Sequence, residues 1–136
     1  MLASAYPDPA RRALVQSDIL HAIISHRKGG HPLTLEAGIV RVADALDMAK
    51  GRSRLPFERG AVNIHSVSAM AIEDVRIEEG TDKPIRVHID LRNSAGIFQV
   101  DSLLKEKLQG SGLEPYVAVL AETTGRAETL VRRFRL

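Results

Sequence analysis

Two aspartates stand three residues apart in a helical segment, and they are the side chains best placed to do chemistry. Asp44 and Asp47 lie in the run V-R-V-A-D-A-L-D-M-A-K-G-R-S-R, which covers residues 40–54. Apolar residues flank Asp44 on both sides, and burying an unpaired carboxylate costs several kcal/mol. Asp44 therefore needs a cation, which is either a metal ion or a basic side chain.

Further polar residues lie on both sides of this pair. An earlier helical run, I-L-H-A-I-I-S-H-R, carries His26 near its end. Downstream, Arg52, Ser53 and Arg54 could hold a phosphate, because arginine forks match phosphate oxygens and the hydroxyl can donate. Basic residues at a helix C-terminus are also favoured by the helix dipole without any ligand, so both interpretations stay open.

The segment from about residue 18 to residue 54 resembles the C-terminal part of the HD-superfamily catalytic domain, whose members are metal-dependent phosphohydrolases and phosphodiesterases. In that family a helix ending in a metal-binding histidine leads through a short loop to a helix with the motif V-A-D-x-x-D, matched here by residues 42–47. The resemblance implies that Asp44 and His26 are ligands of a divalent metal. Such a metal polarises a phosphoryl oxygen and activates a bound water.

The H…HD signature that supplies most ligands in this family is absent. The seventeen residues before Asp18 contain no histidine, and no His-Asp pair occurs in the sequence. At most two expected ligands are present, whereas catalytic metal sites usually have three or more. We expect the C-terminal portion of an HD-type phosphohydrolase acting on a phosphate ester, inactive as this isolated chain.

The alternative is a non-catalytic α+β module for association or ligand binding, which keeps the helix pair for packing. In that interpretation Asp44 faces water and pairs with Arg41, three residues earlier on the same helix.

Composition limits the function further. The 136 residues are 44% hydrophobic, which is typical of an ordered globular protein. A net charge of +2 is too small to define a nucleic-acid surface. The chain has no cysteine, and no apolar run approaches the ~20 residues of a membrane span, so we expect a cytoplasmic protein without membrane contact.

Two helices are predicted in the N-terminal part. The first runs from about residue 9 to residue 27, with Asp8 as its cap and Val15, Ile19, Ile23 and His26 on one face. The second runs from Thr34, its N-cap, to about Lys50. Its apolar stripe is Leu35, Ile39, Val42, Leu46 and Ala49. The short connection favours antiparallel neighbours, and we expect Asp44 and His26 to approach each other.

The second half predicts a small sheet. Residues 72–79 and 85–92 form a hairpin, residues 100–108 a helix, and residues 116–123 a strand with apolar residues on both faces. His88, on the polar face of its strand, is expected to be exposed to solvent. Residues 125–136 are predicted as a short helix or a frayed end.

The predicted fold class is therefore α+β. An N-terminal helix pair (residues 1–54, HD-like) precedes a strand-strand-helix-strand subdomain (residues 55–136). Apolar residues that this small unit leaves uncovered predict a homodimer, formed through the helices or through an unpaired sheet edge.

Overall fold

The computed structural model describes residues 2–27, 29–48, 68, 70–123 and 132–134. Its helices and strands confirm the α+β class. The elements, in chain order, are α1 (Leu2–Ala5), α2 (Pro9–Ser25), α3 (Leu35–Leu46), β1 (Ile72–Glu79), β2 (Ile85–Leu91), α4, β3 (Val117–Thr123) and β4 (Arg132–Phe134). Helix α4 consists of three consecutive stretches: Gly96–Gln99, the π-helical Val100–Lys105, and Glu106–Leu108.

The sheet has the order β1-β2-β3-β4. The predicted hairpin is confirmed, because β1 pairs antiparallel with β2 and places Ile77 opposite Val87. Strands β2 and β3 are parallel, and α4 is the crossover that a parallel pair requires. This gives the predicted order of strand, strand, helix and strand.

The expectation of a helix or frayed end after residue 125 is wrong for residues 132–134, which form β4. This short strand pairs antiparallel with residues 119–121 of β3. The edge of β3 offers main-chain donors and acceptors, which bind an extended segment whatever its side-chain charge.

The core lies between one face of the sheet and the two helices α3 and α4. Alternate residues of β2 and β3 point into it, as the period of a strand requires. The same cluster includes Leu104 and Leu108 from α4, Val42 and Ala45 from α3, and Met48 just after α3.

Both predicted helix caps are confirmed. The Asp8 carboxylate accepts hydrogen bonds from the main-chain amides of Ala10 (3.1 Å) and Arg11 (3.4 Å). Thr34 Oγ1 accepts from the amide of Ala37 at 3.3 Å. Each cap satisfies amides that have no partner within the first turn of the helix. Helix α3 ends at Leu46 rather than near Lys50, because Asp47 has the non-helical ψ of 57°.

The packing face of α2 differs from the predicted one, and that of α3 agrees only in part, because Val42 is buried and Leu46 packs against the core. Leu35 and Ile39 are about half exposed, as are Ile19 and Ile23 on α2. The buried residues are instead mostly small: Ala22 and Ser25 on α2, and Ala37, Gly38, Arg41, Val42 and Ala45 on α3. Ala49, the last member of the predicted stripe, lies outside the described residues.

Close approach of the backbone explains why small residues face inward. A Cβ added to Gly38 would overlap the main-chain carbonyl of Ser111, in the loop after α4. A bulky apolar residue at this position would push the loop away from α3, so the large side chains of α3 lie on its other sides.

Among the described residues, no helix is both long enough and apolar enough to cross a membrane.

Candidate functional site

Among the described residues, a basic side chain from the second half of the chain lies beside Asp44. Lys107 Nζ, on α4, lies 3.5 Å from Asp44 Oδ2. The lysine side chain is only 6% exposed, whereas that of Asp44 is 36% exposed. The ion pair joins α3 to a residue 63 positions later, so spacing within the helix gave no sign of it.

Arg41 does not fill the role that the alternative interpretation gave it. This residue is 4% exposed and donates five hydrogen bonds. All five acceptors are main-chain carbonyl oxygens: Nη1 binds those of Ser25 (3.1 Å), Arg27 (3.0 Å) and Gly30 (2.6 Å), Nε binds that of Lys107 (3.2 Å), and Nη2 that of Glu106 (3.4 Å). The pairing of Arg41 with Asp44 is therefore wrong.

The two buried cations act on the ends of two helices. Arg41 binds carbonyls at the C-terminal ends of both α2 and α4, and Lys107 Nζ also donates to the carbonyl of His26, the C-cap of α2. Free carbonyls and the helix dipole make a helix C-terminus negative, so these cations are stabilised without a full set of carboxylates. Arg41, Lys107 and the carbonyls they bind are called the Arg41 cluster below.

His26 lies beside this cluster. Its Nδ1 donates to the carbonyl of Ile23 at 2.6 Å. Because a carbonyl only accepts, Nδ1 carries the proton in the neutral ring and Nε2 keeps the lone pair. The main-chain oxygen of His26 and the carboxylate of Asp44 both contact the ammonium of Lys107. The C-terminal end of α2 and the last turn of α3 are thus close together.

These residues supply fewer donors than a metal site requires. Within the part of the chain that the structure describes, no three or more His, Cys, Asp or Glu side chains form a group that could hold a metal ion. His26 and Asp44 alone do not complete a coordination sphere. The predicted phosphate-binding residues, Arg52, Ser53 and Arg54, lie outside the described residues.

A second histidine has a structural role that the sequence did not indicate. The main-chain amide of Leu33 donates to Nε2 of His21 at 2.9 Å. The bond joins the loop between α2 and α3 to the side of α2, twelve residues earlier. This contact fixes the path of the loop and hence the position of α3 beside α2.

The face of the sheet opposite α3 and α4 carries a polar cluster. Arg76 Nη2 lies 2.8 Å from Asp90 Oδ2, and His88 Nε2 lies 3.3 Å from Glu122 Oε2 and 3.5 Å from Asp90 Oδ1. The expectation that His88 is exposed is wrong: its side chain is 18% exposed, because neighbouring strands place long polar side chains around it. Arg76, His88, Asp90 and Glu122 are called the His88 cluster.

Comparisons with known proteins give one informative relative. The chain is 51% identical over 105 residues to a protein of Methanocaldococcus jannaschii that is named only as uncharacterized. The match covers 77% of this chain and 40% of that protein, so the chain spans less than half of the length of its relative. No protein-family model matches the chain, and no solved structure matches it significantly.

Proposed function

We propose that this chain is the C-terminal portion of an HD-type, metal-dependent phosphohydrolase that cleaves a phosphate ester. The observation that carries the proposal is the meeting of the end of α2 with Asp44 around Lys107. It supports the proposal because the main-chain oxygen of His26 and the carboxylate of Asp44 contact the same ammonium.

The hydrogen bonding of His26 supports a ligand role. Histidines that bind metals usually donate their other ring nitrogen to a carbonyl or a carboxylate, which fixes the tautomer and the ring orientation. The bond from Nδ1 to the Ile23 carbonyl has this form, and it leaves the lone pair of Nε2 for a metal. Asp44, with about a third of its side chain exposed, keeps its carboxylate accessible.

The remaining ligands would come from outside these residues. We propose that they belong to a longer protein, of the kind represented by the relative of which only 40% is matched, or to a second subunit. Arg52, Ser53 and Arg54 are proposed to contact the phosphate. The protein is proposed to be a cytoplasmic homodimer whose divalent metal binds only in the completed site.

A non-catalytic α+β module for association or ligand binding is the second candidate. The ion pair between Asp44 and Lys107 favours it, because this pair neutralises the carboxylate without a metal. In that case the helix pair serves packing alone.

Titration of the chain with Mn²⁺ separates the two candidates, because the paramagnetic ion broadens NMR signals of nearby nuclei. With two donors, we expect weak binding that broadens the signals of His26 and Asp44 first and no tight binding of any divalent metal. Asp44→Asn and His26→Gln should remove this selectivity, whereas the matched control Asp47→Asn should keep it. Broadening unrelated to these two residues would contradict the phosphohydrolase proposal.

Activity provides the second test. We expect the isolated chain to show no phosphodiesterase or phosphatase turnover above background, with or without Mn²⁺. Turnover that disappears in Asp44→Asn would contradict the expected inactivity, and it would mean that a partner subunit completes the site.

A further inference from the structure

Lys107 is a buried cation beside the two residues that the resemblance makes metal ligands. Its ammonium donates to the main-chain oxygen of His26 and lies 3.5 Å from Asp44 Oδ2. Only 6% of the lysine side chain is exposed. The chain therefore supplies a positive charge of its own to the carboxylate that a metal would bind.

The inward position of Lys107 is not shared by the nearest lysine on α4. Lys105, two residues earlier, lies 3.2 Å from Asp101 with 42% of its side chain exposed. A lysine side chain is long enough to bring its charge to water, and burying an ammonium is unfavourable unless acceptors surround it. Asp44 and the negative C-terminal end of α2 are acceptors that hold Lys107 inside.

A metal and this ammonium compete for the same carboxylate. Divalent metals bind carboxylate oxygens at about 2.0–2.2 Å, so a metal on Oδ2 of Asp44 would lie within about 6 Å of Lys107 Nζ. A doubly charged cation and an ammonium repel each other strongly at this separation where little water screens them. Tight binding of the metal therefore requires the ammonium to move away.

We propose that Lys107 takes the place of the metal in this chain and is displaced when a divalent metal binds Asp44. The proposal rests on the proposed function, because it takes Asp44 and His26 as ligands of the metal. It adds regulation to that site, since Lys107 comes from α4, 63 positions after Asp44. The position of α4 thereby controls the metal affinity of residues on α2 and α3.

Electron paramagnetic resonance tests the competition, because it measures free Mn²⁺ during a titration. Lys107→Met and Lys107→Gln remove the ammonium, and we expect each variant to bind Mn²⁺ at least tenfold more tightly than the unaltered chain. The glutamine variant retains an amide donor for the His26 carbonyl, so it carries the test if the methionine variant unfolds. Circular dichroism establishes which variants keep the fold.

Lys105→Met is the matched control. It changes the net charge by the same amount and also breaks an ion pair on the same helix. It should leave the affinity for Mn²⁺ within about twofold of that of the unaltered chain. Adding Asp44→Asn to either Lys107 variant should abolish the gain in affinity, because the carboxylate is the group for which the two cations compete.

Acetylation tests the displacement in the unaltered chain. Because Lys107 is buried, it should react slowly with acetic anhydride, and millimolar Mn²⁺ should raise its acetylation several-fold in peptide mass spectra. Acetylation of Lys105 should not change, because that side chain is already exposed.

Three results would overturn the proposal. They are an Mn²⁺ affinity that both Lys107 variants leave unchanged, a gain that appears equally in Lys105→Met or persists after Asp44→Asn, and acetylation of Lys107 that Mn²⁺ does not raise.

The proposed function fails by a different result. A gain that requires Asp44 but is unaffected by His26→Gln would support competition by Lys107 and contradict the two-ligand site. Conversely, Mn²⁺ broadening at His26 and Asp44 with no gain in the Lys107 variants would support the site and overturn the competition.

Discussion

The Arg41 cluster and the His88 cluster contain similar polar groups but differ in what surrounds them. In the Arg41 cluster both cations are almost fully buried, and most of their acceptors are main-chain carbonyls at helix ends. In the His88 cluster the side chains pair with one another on the open face of the sheet, and Arg76 stays about half exposed. The comparison indicates that buried cations joining helix ends contribute to the fold, whereas an ion pair with one half-exposed partner, such as Arg76, contributes little.

Replacing Arg41 should have the largest effect on stability. Arg41→Ala leaves five carbonyls at or just beyond the ends of two helices without their donor, and several buried acceptors left unsatisfied together cost about 3–5 kcal/mol. Urea unfolding followed by circular dichroism measures the loss.

Arg41→Lys is the informative companion to this variant. A lysine keeps the charge but lacks the planar fork that reaches acceptors in several directions, so we expect it to restore less than half of the lost stability. A loss under 1 kcal/mol in Arg41→Ala would contradict the structural role of the cluster.

Lys107→Met should have an intermediate effect. It removes the donor to the His26 carbonyl and a partner of Asp44, and we expect a loss of about 1–3 kcal/mol.

Asp44→Asn should cost less than ~1 kcal/mol, because its carboxylate is partly solvated and 3.5 Å from the ammonium. A double-mutant cycle of the two positions separates the ion pair from the carbonyl contact. A coupling as large as the whole Lys107 effect would show that the carbonyl contact contributes nothing.

Arg76→Ala should have the smallest effect. Its ion pair with Asp90 is short, but its side chain is about half exposed and its charge is screened by water and salt. We expect a change of about 0–1 kcal/mol that shrinks further in 0.5 M salt. A loss comparable with that of Arg41→Ala would break the contrast between the two clusters.

Local signals predicted the elements of the fold. Asp8 and Thr34 marked the starts of α2 and α3, and alternation of apolar residues marked the strands of the hairpin. Helix caps and the alternation of apolar residues depend only on residues that are close in sequence. They can therefore be recognised from a single sequence.

Features that depend on contacts between residues far apart in the chain could not be predicted from the sequence. Periodicity placed Leu35 and Ile39 inward, but the close contact of Gly38 with the loop after α4 decided that smaller residues face the core. Ala37, Gly38 and Ala45 on one side of α3 were the available hint, because a face of small residues often allows close packing. Two of the carbonyls that Arg41 binds, and the ammonium of Lys107 beside Asp44, lie on α4. No pattern within α3 indicates them.

The bond from Arg41 to the Lys107 carbonyl joins residues that are 66 positions apart. Such a bond requires the chain to close a long loop, and closing this loop costs conformational entropy. We therefore expect the bond to form late in the folding reaction. The bonds from Arg41 to the end of α4 should therefore be absent from the transition state for folding, whereas those to Ser25, Arg27 and Gly30 close much shorter loops. The energy of the bonds to α4 would then slow the unfolding of the chain and leave the rate of folding almost unchanged.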